Sequence, residues 1–159
     1  MPQPLVDQLL EIIDRAYDRH SWHGTNLRGS IRRVHAAEAV RRPGGDRHNI
    51  AELVVHCAYW KYTVVRRLTA ERRGSFALKG SNFFVREAPY ADAQWAQDVR
   101  LLDDTHRGLR AAIAVLTDRQ LPRVLRDSDS TTVFDTVAGI AAHDLYHAGQ
   151  IQLLKRLAR

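Results

Sequence analysis

The strongest constraint on the fold is a set of mainly apolar residues in the third quarter of the chain, which recur in alternating steps of four and three. The set is Trp95, Val99, Leu102, His106, Leu109, Ile113 and Leu116. This spacing places successive side chains on one narrow stripe of an α-helix, and such a stripe packs against neighbouring helices. It predicts a helix over about residues 92–117 that lies in a helical bundle, with His106 in the core.

Three further segments have helical periodicity, over about residues 5–22, 49–73 and 132–159. In the first of them the predicted inward stripe is Leu5, Leu9, Ile12, Ile13, Ala16 and Tyr17. Since no segment alternates long enough to predict a sheet, the expected fold is all-α, a four-helix bundle with one crossover connection.

Capping signals and one break place the helix boundaries. Asn49 with Glu52, and Thr132 with Asp135, have the spacing of a capping box, which predicts the starts of the second and fourth helices. Residues 25–42 are expected to form a shorter, irregular helical connection. It ends at Pro43-Gly44-Gly45, the clearest break in the sequence.

Length and composition fit one domain covering residues 1–159. The chain has 45% hydrophobic and 26% charged residues, which is the usual mixture for a globular domain. Its single cysteine, Cys57, excludes an intramolecular disulfide and is expected to be buried and inert. No apolar stretch reaches the roughly 18 residues of a membrane span, and the first residues lack the pattern of a secretory signal. We therefore expect a cytoplasmic protein with no membrane partner.

The charge of the chain raises the question of nucleic-acid binding. The formal net charge is +6, and surplus basic residues commonly neutralise phosphates. The 21 arginines and three lysines are, however, spread along the chain among 18 acidic residues. No helix-turn-helix, zinc-finger or RNA-recognition signature accompanies them. The sequence therefore disfavours a nucleic-acid partner.

Helix four carries the one cluster with chemical content, His143-Asp144-Leu145-Tyr146-His147. Two histidines four residues apart differ by about 40° around a helix axis and lie about 6 Å apart along it, so both imidazoles can bind one metal ion. The alternative interpretation is a pair of solvated histidines. His147 falls on the inward stripe of this helix, where a neutral imidazole needs a partner for each ring nitrogen, and this position favours the metal.

A third ligand must come from upstream in the sequence. A zinc protease of the His-Glu-x-x-His type is disfavoured, because Asp144 replaces the glutamate and no His, Asp, Glu or Cys follows His147. The best donor is His56, one turn before Trp60 on the inward side of helix two. Inward positions on facing helices converge, as they do in bundle metal sites. Taken alone, His56 is more readily interpreted as a core histidine that bonds a backbone carbonyl than as a metal ligand.

These residues, with several others, resemble the DinB-like proteins, which are four-helix bundles with a three-histidine metal site. The resemblance covers nearly the whole chain. It includes Trp22-His23-Gly24, Arg42-Pro43, residues 48–56 (HNIAELVVH) and residues 143–151 (HDLYHAGQI), of which the last is the most specific. The family's ligand pattern maps onto His56, His143 and His147 with none missing. The resemblance therefore implies that these three bind a divalent metal ion, with zinc or nickel expected.

Residues near the expected site each have two interpretations. Asp144 either orients a ligand or forms a helix-packing salt bridge, and the salt bridge is preferred. Gln150 either bonds a metal-bound water or is solvated. Tyr59 and Trp60 either wall a substrate pocket or pack in the core. His23 either lines the mouth of that pocket or interacts with the end of helix one.

Three imidazoles leave a coordination position open, which is the pattern of a catalytic site. The resemblance implies a range of activities that includes S-transferases and isomerases acting with low-molecular-weight thiols. Because no pair of catalytic carboxylates is evident, we predict a thiol-dependent S-transferase that serves detoxification or stress and acts on a small molecule. A metal-dependent hydrolase and a non-catalytic metal-binding stress protein are the alternatives. A homodimer is also expected, from the family and from Leu145 and Leu153, both predicted to be exposed.

Overall fold

The computed structural model describes residues 2–72, 74 and 76–158, and within them it contains helices and no strands. In chain order the helices are α1 (Pro4–Tyr17), α2 (Leu27–Ser30), α3 (Ala36–Ala39), α4 (Ile50–Thr69), α5 (Asp92–Ala114) and α6 (Val133–Leu157). A short 3₁₀ helix, Asp118–Gln120, follows α5. The predicted all-α bundle is confirmed, with α1, α4, α5 and α6 as its four long helices. None of the described helices is long and apolar enough to cross a membrane.

The long helices are arranged so that α1 and α4 each pack against both α5 and α6. Helices α1 and α4 therefore lie diagonally across the bundle, and so do α5 and α6. The chain crosses the bundle between α1 and α4, through the segment that contains α2 and α3. A second diagonal connection joins α5 to α6 through residues 115–132, so the bundle has two crossovers where the sequence predicts one.

Helix starts follow the sequence signals closely. The side chain of Asn49 accepts a hydrogen bond from the backbone N–H of Glu52 at 2.9 Å, and the Glu52 carboxylate accepts from the Asn49 N–H. Thr132 and Asp135 form the same capping box at the start of α6. Both predicted starts are confirmed, since in each case a side chain replaces the missing partner of a backbone N–H group.

Helix ends differ more from the prediction. Helix α4 ends at Thr69, where Ala70 adopts a left-handed conformation with φ of 55°; the predicted end at residue 73 lies outside the described residues. Helix α1 ends at Tyr17, and Trp22, predicted to lie within it, is fully exposed. The helical spacing of apolar residues continues in the sequence beyond the ends of α1 and α4. No capping residue marks either end, so the sequence predicts both helices to be longer than they are.

Two predicted faces need correction. In α1 the buried stripe is Val6, Leu9, Ile13, Ala16 and Tyr17. Leu5 and Ile12, predicted to face inward, are half exposed, because a helix in contact with two long neighbours buries a stripe narrower than its apolar side. In α6, Leu153 is exposed as predicted, whereas Leu145 packs half-buried against the core.

The first half of α4 is buried on every side, because α5, α6 and the segment containing α2 and α3 all pack around it. This is the part of the bundle in which His56 lies, so its imidazole is placed in the interior.

Candidate metal centre

Three histidine side chains from two helices meet inside the bundle. His56 lies in the second turn of α4, and His143 and His147 lie one turn apart in α6. The Nε2 atom of His143 is 3.1 Å from Nε2 of His56 and 3.1 Å from Nε2 of His147. One ligand atom of each residue lies within 4.8 Å of those of the other two. The structure thus brings the three predicted ligands together.

The outer nitrogens of two of these rings are held by oxygen atoms. His56 Nδ1 lies 2.8 Å from the backbone oxygen of Asn82, and His147 Nδ1 lies 2.7 Å from Gln150 Oε1. Because these oxygens accept, Nδ1 of each ring carries the proton and Nε2 carries a lone pair. The three inward-facing Nε2 atoms therefore share at most one proton, which belongs to His143. A divalent cation would accept the lone pairs of all three nitrogens.

Burial keeps the cluster neutral at physiological pH. Removal from water lowers the pKa of His56 to about 4 and that of His143 to about 3, and it lowers the pKa of His147 as well. Neutral imidazole is the form that binds metal ions. Three such donors suit zinc, nickel, copper or iron and leave a coordination position for a reactant. The residues present therefore fit a divalent metal ion.

A buried ion pair lies next to His143 in the sequence. Lys61 donates to Asp144 Oδ2, and the two side chains are 0% and 1% exposed. This confirms the salt bridge favoured for Asp144 and identifies its partner, a residue that the sequence analysis did not single out. Among the described residues, neither Asp144 Oδ1 nor His143 Nδ1 has a hydrogen-bond partner. A carboxylate oxygen of Asp144 lies within 4.8 Å of a ring nitrogen of His143, so this carboxylate is close enough to influence how the His143 ring is held.

A loop between α4 and α5 covers the cluster. Asn82 has a φ of 65°, a left-handed conformation that asparagine adopts more readily than most residues. Its backbone oxygen holds His56, and its side-chain oxygen accepts from Trp60 Nε1 at 3.0 Å. Phe83 is sandwiched between the rings of His56 and His48, with centroid distances of 4.0 and 3.7 Å. Sequence reasoning missed this role, and its only signal was two adjacent aromatic residues in a loop.

The residues predicted to line a substrate pocket separate into different places. Tyr59 and Trp60 line a cavity of about 560 Å³ along α4, and the Trp60 ring lies edge-on to His56 with centroids 6.4 Å apart. His147 and Gln150 line a second cavity, of about 420 Å³. His23 is exposed and lines neither of these cavities. Its predicted position at the pocket mouth depended on a longer first helix than the structure has.

Two further candidates lie outside the three-histidine group. His106 is buried and stacks on Tyr17 with centroids 3.6 Å apart, which confirms its assignment to the core. Cys57 is fully buried, and burial raises the pKa of its thiol. A buried neutral thiol is a poor nucleophile, in agreement with the inert role predicted for it.

We expect the metal-free protein to lose stability as the pH falls below about 6.5. An unfolded histidine has a pKa of about 6.5, whereas burial lowers the pKa of His56 to about 4 and the pKa values of His143 and His106 to about 3. Protons therefore bind the unfolded chain first. Each of these histidines should remove up to about 1.4 kcal/mol of unfolding free energy per pH unit below 6.5, down to its folded pKa.

Urea unfolding at pH 7, 6 and 5 measures this loss. His106 is the one of these three histidines that lies outside the cluster. A His106→Gln variant should therefore give a shallower dependence of the unfolding free energy on pH. An unfolding free energy that stays constant or rises from pH 7 to pH 5 would contradict the burial of these neutral rings.

Comparison with known families gives one match. The sequence model that describes the DinB superfamily matches residues 19–151. This range is most of the chain and contains all three clustered histidines. No curated protein and no solved structure matches the chain.

Proposed function

This chain belongs to the DinB superfamily, and we propose that it is a metal-dependent enzyme whose ion is held by His56, His143 and His147, with zinc or nickel as the expected ion. The observation that carries the proposal is the convergence of three neutral imidazole nitrogens in the bundle interior. A bound divalent ion would supply a Lewis acid that favours deprotonation of a thiol or water at its open position.

The residues around the cluster orient and shield it. Asn82 and Gln150 fix the rings of His56 and His147, so that their Nε2 lone pairs stay directed inward. Phe83 covers one face of the His56 ring, and Trp60 lies at its edge, which limits the access of water from the loop side. The two cavities that border these residues leave room for a reactant.

Within the range of metal-dependent reactions we propose S-transfer. A low-molecular-weight thiol loses its proton to solvent water, its sulfur forms a bond to an electrophilic carbon of a small molecule, and the bond from that carbon to the leaving group breaks, so that the leaving group departs with the electron pair. The carboxylates near the centre support this over hydrolysis. Asp144 is ion-paired with Lys61 through Oδ2 and lines neither cavity, and in the described parts of the two cavity walls the only acidic side chains are Glu71 and Asp127, which both lie beyond the end of α4. A hydrolase would need a general base close to the attacking water. S-transfer by a thiol whose pKa a bound ion would lower does not need such a base.

Cobalt substitution tests the proposed reaction. Adding cysteine or glutathione to the Co²⁺-loaded protein is expected to produce a near-ultraviolet sulfur-to-cobalt charge-transfer band, because the thiolate occupies the open position. The same protein should accelerate conjugation of the thiol to members of a panel of small electrophiles over the rate with free Co²⁺.

The outcomes separate the three classes of function. A charge-transfer band without turnover supports a non-catalytic metal-binding protein. Hydrolysis of ester or amide substrates without a thiol band supports a hydrolase. The absence of both band and hydrolysis overturns the enzyme proposal. His20→Ala removes an exposed histidine outside the cluster and is the control for variants of the three clustered histidines. It should give the same charge-transfer band and the same rate of conjugation as wild type.

A cytoplasmic location and a homodimer are also part of the proposal. Exposed apolar side chains on α6 support the homodimer. One of them that lies outside both cavities is Phe134, with a relative exposure of 45%.

A further inference from the structure

The cavity beside His147 has the character of a small-molecule pocket. Its volume is about 420 Å³, and pockets for small ligands commonly measure about 300–1,000 Å³. Most of its wall is apolar. The apolar residues are Pro43, Leu53, Phe83, Tyr146, Leu153 and Leu154. Such a wall favours a ligand with a substantial apolar part.

Two contacts connect this cavity to the metal centre. His147 is a member of the three-histidine group and lies in the cavity wall. Phe83, also in the wall, stacks directly on His56. A molecule in the cavity therefore lies against the centre, which is where the second reactant of an S-transfer must be held.

The polar groups of the cavity leave one charge free. His48 is paired with Glu52 at 3.0 Å, and His147 with Gln150 at 2.7 Å. Arg47 also lines the cavity, and among the described residues its guanidinium has no ion-pair or hydrogen-bond partner. No acidic residue of the described chain lines this cavity. Its one uncommitted charge is therefore positive.

We infer that this cavity binds the electrophilic reactant, a mainly apolar small molecule with one carboxylate that pairs with Arg47. The inference rests on the proposed function of the centre and adds the class of its substrate. The apolar part lies against Leu153 and Tyr146, two side chains that are otherwise largely exposed to water. The carboxylate reaches the rim, where Arg47 replaces part of its hydration.

Binding of octanoate and octan-1-ol to metal-free protein tests the inference by calorimetry. These probes share an apolar chain and differ in charge, and removal of metal prevents the carboxylate from binding the centre itself. Wild type should bind octanoate about two- to fivefold more tightly than octan-1-ol, as expected for one exposed ion pair. Arg47→Gln should remove this difference. Leu153→Ser should weaken the binding of both probes by a similar factor.

Leu157→Ser is the matched control, because Leu157 is as exposed as Leu153 on the same helix but lies outside the cavity. It should leave the affinities of both probes unchanged. Equal binding of the two probes by wild type, or equal losses in Leu153→Ser and Leu157→Ser, would overturn the inference. So would a concentration-dependent dimer that excludes both probes, which would make a second copy of the chain the occupant.

The test separates this inference from the proposed function. Octanoate binding that survives in an inactive His143→Ala variant supports the cavity whatever reaction the centre performs. An active, metal-dependent S-transferase in which Arg47→Gln leaves the KM for carboxylate-bearing electrophiles unchanged would keep the function and remove the cavity assignment.

Discussion

Replacing His143 with alanine is expected to weaken binding of Zn²⁺ or Ni²⁺ on the order of 1,000-fold, which corresponds to about 4 kcal/mol. His143 is central to the cluster, because its Nε2 is 3.1 Å from Nε2 of each of the other two ligands. Loss of a residue that only orients a ligand already costs about 10–100-fold in metal affinity, and loss of the ligand itself should cost more. Competition with a chromophoric chelator measures the affinity, and elemental analysis measures the metal content after purification.

His20→Ala is the control for this experiment, since it removes an exposed imidazole outside the cluster. Circular dichroism establishes that each variant is folded. A His147→Gln variant keeps most of the side-chain volume and should also lose the metal, so that a folding defect in one variant does not decide the result. Equal metal content in wild type and both cluster variants would remove the metal site.

Helical geometry predicted that His143 and His147 can bind one metal ion, whereas His56 was assigned to the same site through the resemblance to DinB-like proteins. His143 and His147 are one turn apart on a helix, and His56 lies on the inward side of another. The supporting residues could not be predicted in this way. Asn82 and Phe83 reach the cluster through a left-handed turn in a loop, and no period in the sequence links that turn to α4.

Lys61 shows a different limit of sequence reasoning. A lysine in a helix is almost always exposed, so its position on α4 gave no reason to place it in the core. Its partner, Asp144, lies 83 residues away on α6, and only the packing of the two helices brings the charges together. For His23 the sequence left two positions open, at the end of helix one or at a pocket mouth, and the structure places it in an exposed position after α1, which ends at Tyr17.

Breaking this ion pair from one side is the second change with a large expected effect. Lys61→Met should lower the free energy of unfolding by about 3–5 kcal/mol, because it leaves the carboxylate of Asp144 buried without a counter-charge. Lys61 Nζ also lies 5.1 Å from the centroid of the Tyr17 ring. Urea unfolding at pH 7 in the absence of metal measures the change.

Lys61→Met combined with Asp144→Leu separates stability from metal binding. Removing both charges should restore most of the lost free energy of unfolding, because a buried ion pair replaced by apolar side chains is commonly close to neutral. Metal affinity should nevertheless fall by about tenfold or more, since the double variant lacks the carboxylate oxygen that lies within 4.8 Å of His143. A double variant that is stable and binds metal as wild type does would show that the pair serves helix packing alone.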